Sequence, residues 1–254
     1  MKNYAVITGA SAGLGTEFAK QLAAKGYKLI LTARREDRLQ ALEETLPVEC
    51  IIIPADLSKK EEVFSFFDLI KEYKIDIFIN NAGFGDCNSF LNSDLEMELD
   101  MVDVNIKAMH ILCKKMLQKM QKENHGYILN VASSAGLLPA GPYMATYYAT
   151  KAYVSSLTQA IARELKEMDS KVYVGALCPG PVDTEFNDVA NVEFALKGIT
   201  SEYCVEYAIQ QMIKRQTVIV PTLLMKASTM AGRLAPRDLA IKITAGQQKK
   251  KLGK

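Results

Sequence analysis

Histidine is almost missing from this chain of 254 residues. Its two copies, His110 and His125, read as surface or packing residues and not as a pair of metal ligands. Cysteine is sparse as well. Five residues stand at 50, 87, 113, 178 and 204, an odd count with no C-x-x-C pair, which speaks against a disulfide framework and a zinc site. A reducing, cytoplasmic setting fits that usage. No apolar run approaches the ~18–20 residues that a membrane span needs. Internal repeats, low-complexity linkers and a visible domain boundary are also lacking, so residues 1–254 read as a single domain. Hydrophobic residues make up 49% and charged residues 24%, ordinary for a soluble globular protein with a full core. The net charge of +2 hides an uneven spread. Residues 222–254 hold eight basic groups against Asp238, a charge of +7, which leaves −5 for residues 1–221.

What the chain does have begins at Tyr4. The apolar run Tyr4-Ala5-Val6-Ile7-Thr8 leads straight into Gly9, Ser11, Gly13, Leu14 and Gly15. An amphipathic pattern follows, with Phe18, Leu22 and Ala23 apolar and Glu17, Lys20, Gln21 and Lys25 polar. That reads as strand, glycine turn and helix. The apolar opening could pass for a signal peptide, but it carries the glycine turn and runs into a charged helix. Such a junction gathers free backbone N–H groups and the positive end of a helix dipole, where a phosphate can sit. Its spacing is T-G-x-x-x-G-x-G and not the G-x-G-x-x-G of many dinucleotide folds. The bland alternative is a glycine turn without a ligand; the strand before it and the helix after it favour nucleotide binding.

Further strands are predicted at 27–32, 50–53, 75–80, 127–131, 172–177 and 218–220. Between them lie helices at about 36–46, one capped by Ser58 with Glu61 at capping-box spacing, two stretches within 94–122, a long helix at about 147–168 and another at about 201–214. Strands alternating with helices, the strands nearly continuous in apolar residues, predict an α/β fold: a Rossmann-like, doubly wound parallel sheet of about seven strands with helices on both faces. Ligands then bind beyond the carboxyl ends of the strands. Gly9, Arg34, Asp56, Asn81, Ser134 and Pro179 all sit just after a predicted strand.

Tyr147 and Lys151 share a helix face four residues apart. An ammonium beside a phenol favours the phenolate, so the pair suits general acid–base work. By itself the spacing says little, since about one Y-x-x-x-K is expected by chance among 11 tyrosines. Ser134 at the end of the fifth strand, Asn105 in the helix after the fourth, and Asn80-Asn81-Ala82-Gly83 closing the fourth give it context. Together with the opening glycines, these residues resemble the short-chain dehydrogenase/reductase family, in its branch of about 250 residues, over residues 1–221.

The resemblance implies roles. Tyr147 would exchange the proton with the substrate oxygen, Ser134 would hydrogen-bond that oxygen, and Lys151 would lower the tyrosine pKa and bind the nicotinamide ribose. Asn105 would hold a water in a proton relay to Lys151. Thr8, Gly9, Ser11, Gly13, Leu14 and Gly15 would cradle the cofactor, Asp56 and Leu57 would meet adenine, and Asn81, Ala82 and Gly83 would floor the site. Pro179, Gly180, Val182 and Thr184 match the family segment that holds the carboxamide. The reaction implied is reversible hydride transfer between a nicotinamide cofactor and a carbonyl/alcohol pair, without metal. A non-catalytic, NADP(H)-binding redox sensor is the rival. NADP(H) is expected over NAD(H), because the second strand ends in Thr32-Ala33-Arg34-Arg35 with no acid, and Arg34 is placed for a 2′-phosphate.

Phe84, Leu137, Leu138, Pro139, Tyr143, Met144 and Phe186 fall in loops expected to wall the pocket, which points to a hydrophobic ketone, a steroid-like ring system or a 3-oxoacyl chain. Family members commonly pair through helices that fall here at about 99–120 and 150–166, so a homodimer or homotetramer is expected. No nucleic-acid partner is. The basic extension at 222–254 splits at Pro236 into two short helices. Their residues 223–243 are expected to pack on the acidic body on the active-site side, with contact to an anionic membrane surface as the minority reading.

Overall fold

The computed structural model describes residues 2–185 and 198–251, so Phe186, Lys254 and what the sequence suggests of them lie outside the described residues. Seven parallel strands form one sheet: β1 (Tyr4–Thr8), β2 (Lys28–Thr32), β3 (Cys50–Ile52), β4 (Ile75–Asn80), β5 (Tyr127–Val131), β6 (Tyr173–Leu177) and, after a separate parallel pair β7 (Val182–Asp183) and β8 (Ile199–Thr200), β9 (Val218–Ile219). Their order is β3-β2-β1-β4-β5-β6-β9. Every strand foreseen for this sheet is present, with no end displaced by more than one residue.

Successive side chains of a strand leave opposite faces of the sheet. In β1, Val6 joins one core with Phe66, Ile70, Leu112 and Val154, while Ala5 and Ile7 join the other with Phe18, Leu22, Val205 and Ile209. The first core lies beneath α3 (Lys60–Ile70), α5 (Met109–Glu123) and α6 (Ala145–Glu167), and the second beneath α1 (Gly13–Ala24) and α7 (Ser201–Ile213). Helix α2 (Glu36–Glu43) leans on the β3 edge. The order reverses between β1 and β4, so their carboxyl ends part and leave the crevice that such sheets use for ligands.

Three local expectations are corrected. Ser58 does not cap α3. Its hydroxyl donates to Asp56 Oδ1 at 2.9 Å, its N–H donates to the same oxygen at 3.1 Å, and Lys59 takes the cap position without a side-chain bond. Glu62, not Glu61, reaches back, accepting from the Asp56 N–H at 2.7 Å. The stretches within 94–122 are one continuous path, α4 (Leu95–Val102) running through a π-helical segment (Asp103–Ala108) into α5. Glu17, read as a solvent-facing residue, is buried and accepts from Gln21 Nε2 at 2.7 Å, because α7 covers that side of α1.

The C-terminal segment forms α8 (Leu223–Leu234) and α9 (Arg237–Lys251) on either side of Pro236. Met225, Gln247 and Gln248 of this segment lie on the active-site side. Leu223, Met230 and Leu234 are 81%, 62% and 83% exposed, while Met225, Thr229 and Gly232 face the body. Helix α9 is held by Ala240, Thr244 and Gln248, each one turn beyond the last, so its inward face is small and polar. No described helix is long and apolar enough to cross a membrane.

Candidate active site

The crevice opens into a cavity of about 700 Å³ at the carboxyl ends of the strands. One end is built by the β1–α1 turn. Gly9 and Gly13 adopt φ of +66° and +53°, which favour glycine. A Cβ on Gly15 would lie 2.1 Å from the Gly9 carbonyl oxygen, so the turn can be this tight only with glycine there. Ala12 caps α1 without a side-chain bond, and the first turn of the helix holds no acid. Its leading N–H groups and positive dipole end are therefore open to an anion. Ser11, Gly13 and Leu14 line the cavity beside them.

The part of this end beside the close of β2 is basic. Arg34 and Arg35 both border the cavity, and Arg35 Nη2 donates to Ser11 Oγ at 3.4 Å. Glu185, read from the sequence as a surface charge, also borders the cavity, but Arg38 holds it at 2.6 Å and Arg35 approaches it at 3.8 Å. Asp56 and Leu57 line the same end. Burial pulls the Asp56 carboxyl up, but the two bonds from Ser58 and the charges of Arg34 and Lys59 outweigh it and hold the group below the usual carboxylate range.

Thr8 and Asn81 brace the floor. Thr8 is fully buried, and its hydroxyl accepts from the N–H groups of Asn81 and Ala82, both at 2.9 Å. Asn81 Nδ2 donates to the carbonyls of Thr8 at 2.9 Å and Gly9 at 3.3 Å. These four bonds tie β1 to β4 across the switch point. Gly9, Asn81, Ala82 and Gly83 then face the cavity, while Thr8 and Gly15 stand behind its wall. Across from them, Pro179, Gly180, Val182 and Thr184 form the opposite wall.

Tyr147 and Lys151 meet this floor from α6, one turn apart and 9% and 5% exposed. The side chain that hydrogen-bonds the Tyr147 hydroxyl is Ser133, the neighbour of the Ser134 that was expected to bond the substrate oxygen. Ser133 caps the short 3-10 turn Ser134–Leu137, with its oxygen accepting from the Ala135 N–H at 3.1 Å. Ser134 borders the cavity too, and its backbone N–H donates to the Pro179 carbonyl at 2.8 Å. Two serines in a row offered the sequence no way to choose; the turn that fixes Ser133 beside the phenol did.

Burial dominates the electrostatics. It pushes the Tyr147 phenol up to about 12 despite the opposing bond from Ser133. It pulls the Lys151 ammonium down to about 8. The Lys151 ammonium lies 5.8 Å from the Tyr147 ring centroid, and desolvation is the largest influence on the phenol. Lys151 Nζ donates to the Val131 carbonyl at 3.0 Å, which leaves it other donors on the cavity side.

Asn105 sits in the π-helical segment, 1% exposed and behind the wall. Its amide is spent on protein. Nδ2 donates to the Phe84 carbonyl at 2.8 Å and to Thr150 Oγ1 at 3.1 Å, and Oδ1 accepts from the Phe84 N–H at 3.1 Å. Both Nδ2 hydrogens are thereby engaged, while Oδ1 keeps a second lone pair, and the bonds position Phe84 and Thr150. A Cβ on Gly83 would fall 2.8 Å from Asn105 Oδ1 and 3.2 Å from Lys151 Nζ, which shows how closely the three are packed.

The outer wall is mainly apolar. Phe84, Leu138 and Met144 line it as expected, joined by Met225, while Leu137 turns into the core below, and Pro139 and Tyr143 stand off the wall. Gln247 and Gln248 close it from the last turns of α9, and neither was singled out in the sequence. Nothing near Gln248 in sequence marks it, because its partner Tyr148 lies 100 residues away.

A dinucleotide-type cradle and a buried Tyr–Lys pair in one crevice define a class of Rossmann-like oxidoreductases. Residues 3–193 match the short chain dehydrogenase family. The chain belongs to the short-chain dehydrogenase/reductase family. It is 33% identical to an uncharacterized oxidoreductase of Staphylococcus epidermidis over 72% of this chain and 80% of that protein. It is also 33% identical to dehydrogenase/reductase SDR family member 11 of Homo sapiens, over 72% of this chain and 74% of that one. Among solved structures, a short-chain dehydrogenase from Sphingobium yanoikuyae in complex with NADPH superposes with a TM-score of 0.82 at 28% identity, covering 92% of this chain and 94% of that chain. A family member from Burkholderia phymatum in complex with NAD gives 0.83 at 25% identity over 96% of both chains.

Proposed function

We propose that the protein is an NADP(H)-dependent oxidoreductase that interconverts a ketone and a secondary alcohol on a fairly hydrophobic small molecule. The observation that carries this reading is the Tyr147 hydroxyl, buried against Ser133 and one helical turn from Lys151, in the same cavity as an uncapped helix N-terminus with glycine-only turns. The cradle fits a dinucleotide: its N–H groups, the lack of acids in the first turn of α1 and the close approach at Gly9, Gly13 and Gly15 suit a pyrophosphate. A nicotinamide dinucleotide bound there supplies the hydride.

The chain's own residues do the rest. Ser133 orients the carbonyl oxygen by hydrogen bonding. Tyr147 Oη gives that oxygen a proton in reduction and takes it back in oxidation, and a phenol raised to about 12 carries its proton throughout the neutral range. Lys151 holds the ribose side, and Asn105 positions Phe84, Gly83 and the start of α6 through Thr150. Ser134, Asp56, Leu57, Pro179, Gly180, Val182 and Thr184 shape the walls.

The choice of NADP(H) rests on Arg34 and Arg35 at the end of β2 and on the absence of an acid there. One solved neighbour is in complex with NADPH and another with NAD, so the comparison is made by kinetics. Arg34→Ala should lower kcat/KM for NADPH by about tenfold or more and change that for NADH little. A carbonyl panel followed through NADPH absorbance tests the reaction. Tight cofactor binding with no carbonyl turned over would favour the redox-sensor reading instead.

The reading includes a homo-oligomer in a cytoplasmic setting, the latter in keeping with five free cysteines. Ala149, Tyr153, Ser156 and Ala160 are exposed along one face of α6, and Tyr153 bonds His110 of α5 at 2.7 Å, giving a flat face of small residues for a second copy. Sedimentation that finds only a 28.1 kDa species would end that part of the reading.

A further inference from the structure

Among the described residues, two buried side-chain atoms have no hydrogen-bond partner: Thr32 Oγ1, inside β2, and Gln248 Oε1. The second belongs to a residue on the wall of the cavity. Gln248 is 2% exposed, and its Nε2 donates to Tyr148 Oη at 2.7 Å. Tyr148 is itself buried on the wall and packs against the proton-donating Tyr147, ring centroids 6.4 Å apart and planes at 74°. The amide is therefore fixed at one end and unpaired at the other. Around it the wall is apolar, with Leu138, Met144 and Met225 as neighbours in the cavity lining. A buried carbonyl oxygen left unpaired in such surroundings is costly, and the cavity is where a partner can come from.

We propose that Gln248 reads a hydroxyl group carried by the substrate away from the reacting carbonyl, so that the substrate class is a ketone bearing a second, hydrogen-bond-donating hydroxyl. The inference rests on the oxidoreductase reading above and names its substrate class. Because Nε2 is committed to Tyr148, the free end of the amide is an acceptor only. It selects a group that can donate, a free alcohol, and rejects a methyl ether or a plain C–H at the same place. Discrimination of this kind is strong, because the wrong ligand leaves the acceptor buried and unpaired.

The test uses the full chain loaded with NADP+ or NADPH. The probes are alicyclic ketones with and without further fused rings, each as a matched triplet bearing a free hydroxyl, a methoxy group or hydrogen at one ring position. Binding is measured by calorimetry and turnover by NADPH absorbance. The expected result is at least one triplet in which the alcohol is preferred about tenfold or more over both partners. In Gln248→Leu that preference should collapse to near one. The double variant Gln248→Leu/Tyr148→Phe should do the same, and it removes both partners so that neither is left orphaned. A wild type that binds the three members of every triplet alike overturns the proposal without any variant. So does a preference that survives in Gln248→Leu. A chain that binds the alcohols selectively but never reduces a ketone would sink the oxidoreductase reading and leave the assignment of Gln248 intact.

Discussion

Ser133 and Ser134 are chemically identical neighbours, yet only the first hydrogen-bonds the Tyr147 phenol. Removing an oriented donor to a developing charge costs about 10²–10³ in kcat. Ser133→Ala should lose activity on that scale and Ser134→Ala distinctly less, by kcat on one turned-over ketone; the reverse order would restore Ser134. Lys151 makes a second prediction at this scale. Its ammonium has a folded pKa of about 8 against an ordinary 10.5. Between those values the unfolded chain binds more protons, so stability rises with pH there, and below pH 8 the full burial cost applies, about 3 kcal/mol. Cysteines pull the other way above pH 9, since the buried Cys113 and Cys178 and the half-buried Cys50 are raised to about 11 and the buried Cys204 to about 12. The clean measure is the difference in Tm between wild type and Lys151→Met. It should narrow in favour of wild type from pH 8 to 10; a flat difference would contradict the assignment.

At the scale of elements, the β1–α1 junction was the most legible part of the chain, because glycine spacing and helix periodicity are local signals. Its tightness was not: only the fold shows Gly15 facing the Gly9 carbonyl. Gly15→Ala should therefore weaken NADPH binding and lower Tm together, and an unchanged Kd by fluorescence titration would count against the cradle. The π-helical segment between α4 and α5 was invisible in the sequence, since one added residue per turn leaves the apolar pattern nearly intact. Yet it is what carries Asn105 to Phe84 and Thr150, in line with the tendency of such segments to lie at functional sites. Helix α9 was illegible for a different reason: its inward face is Ala240, Thr244 and Gln248, and no apolar periodicity marks it.

At the scale of the molecule, alternation of apolar strands with helices was enough to set the layers and the crevice, because parallel sheets must be covered on both faces. What no local pattern could show is convergence: Ser133 after β5, Tyr147 and Lys151 from α6, the α1 turn and the far end of α9 meet only in the folded chain. The central claim is that this convergence makes Tyr147 the proton donor for reduction at a carbonyl. Its most direct test is kcat/KM for Tyr147→Phe against wild type on one turned-over ketone, with the NADPH Kd measured beside it. The account predicts a loss of about 10²–10⁴ with the Kd little changed. Full activity in Tyr147→Phe would contradict it.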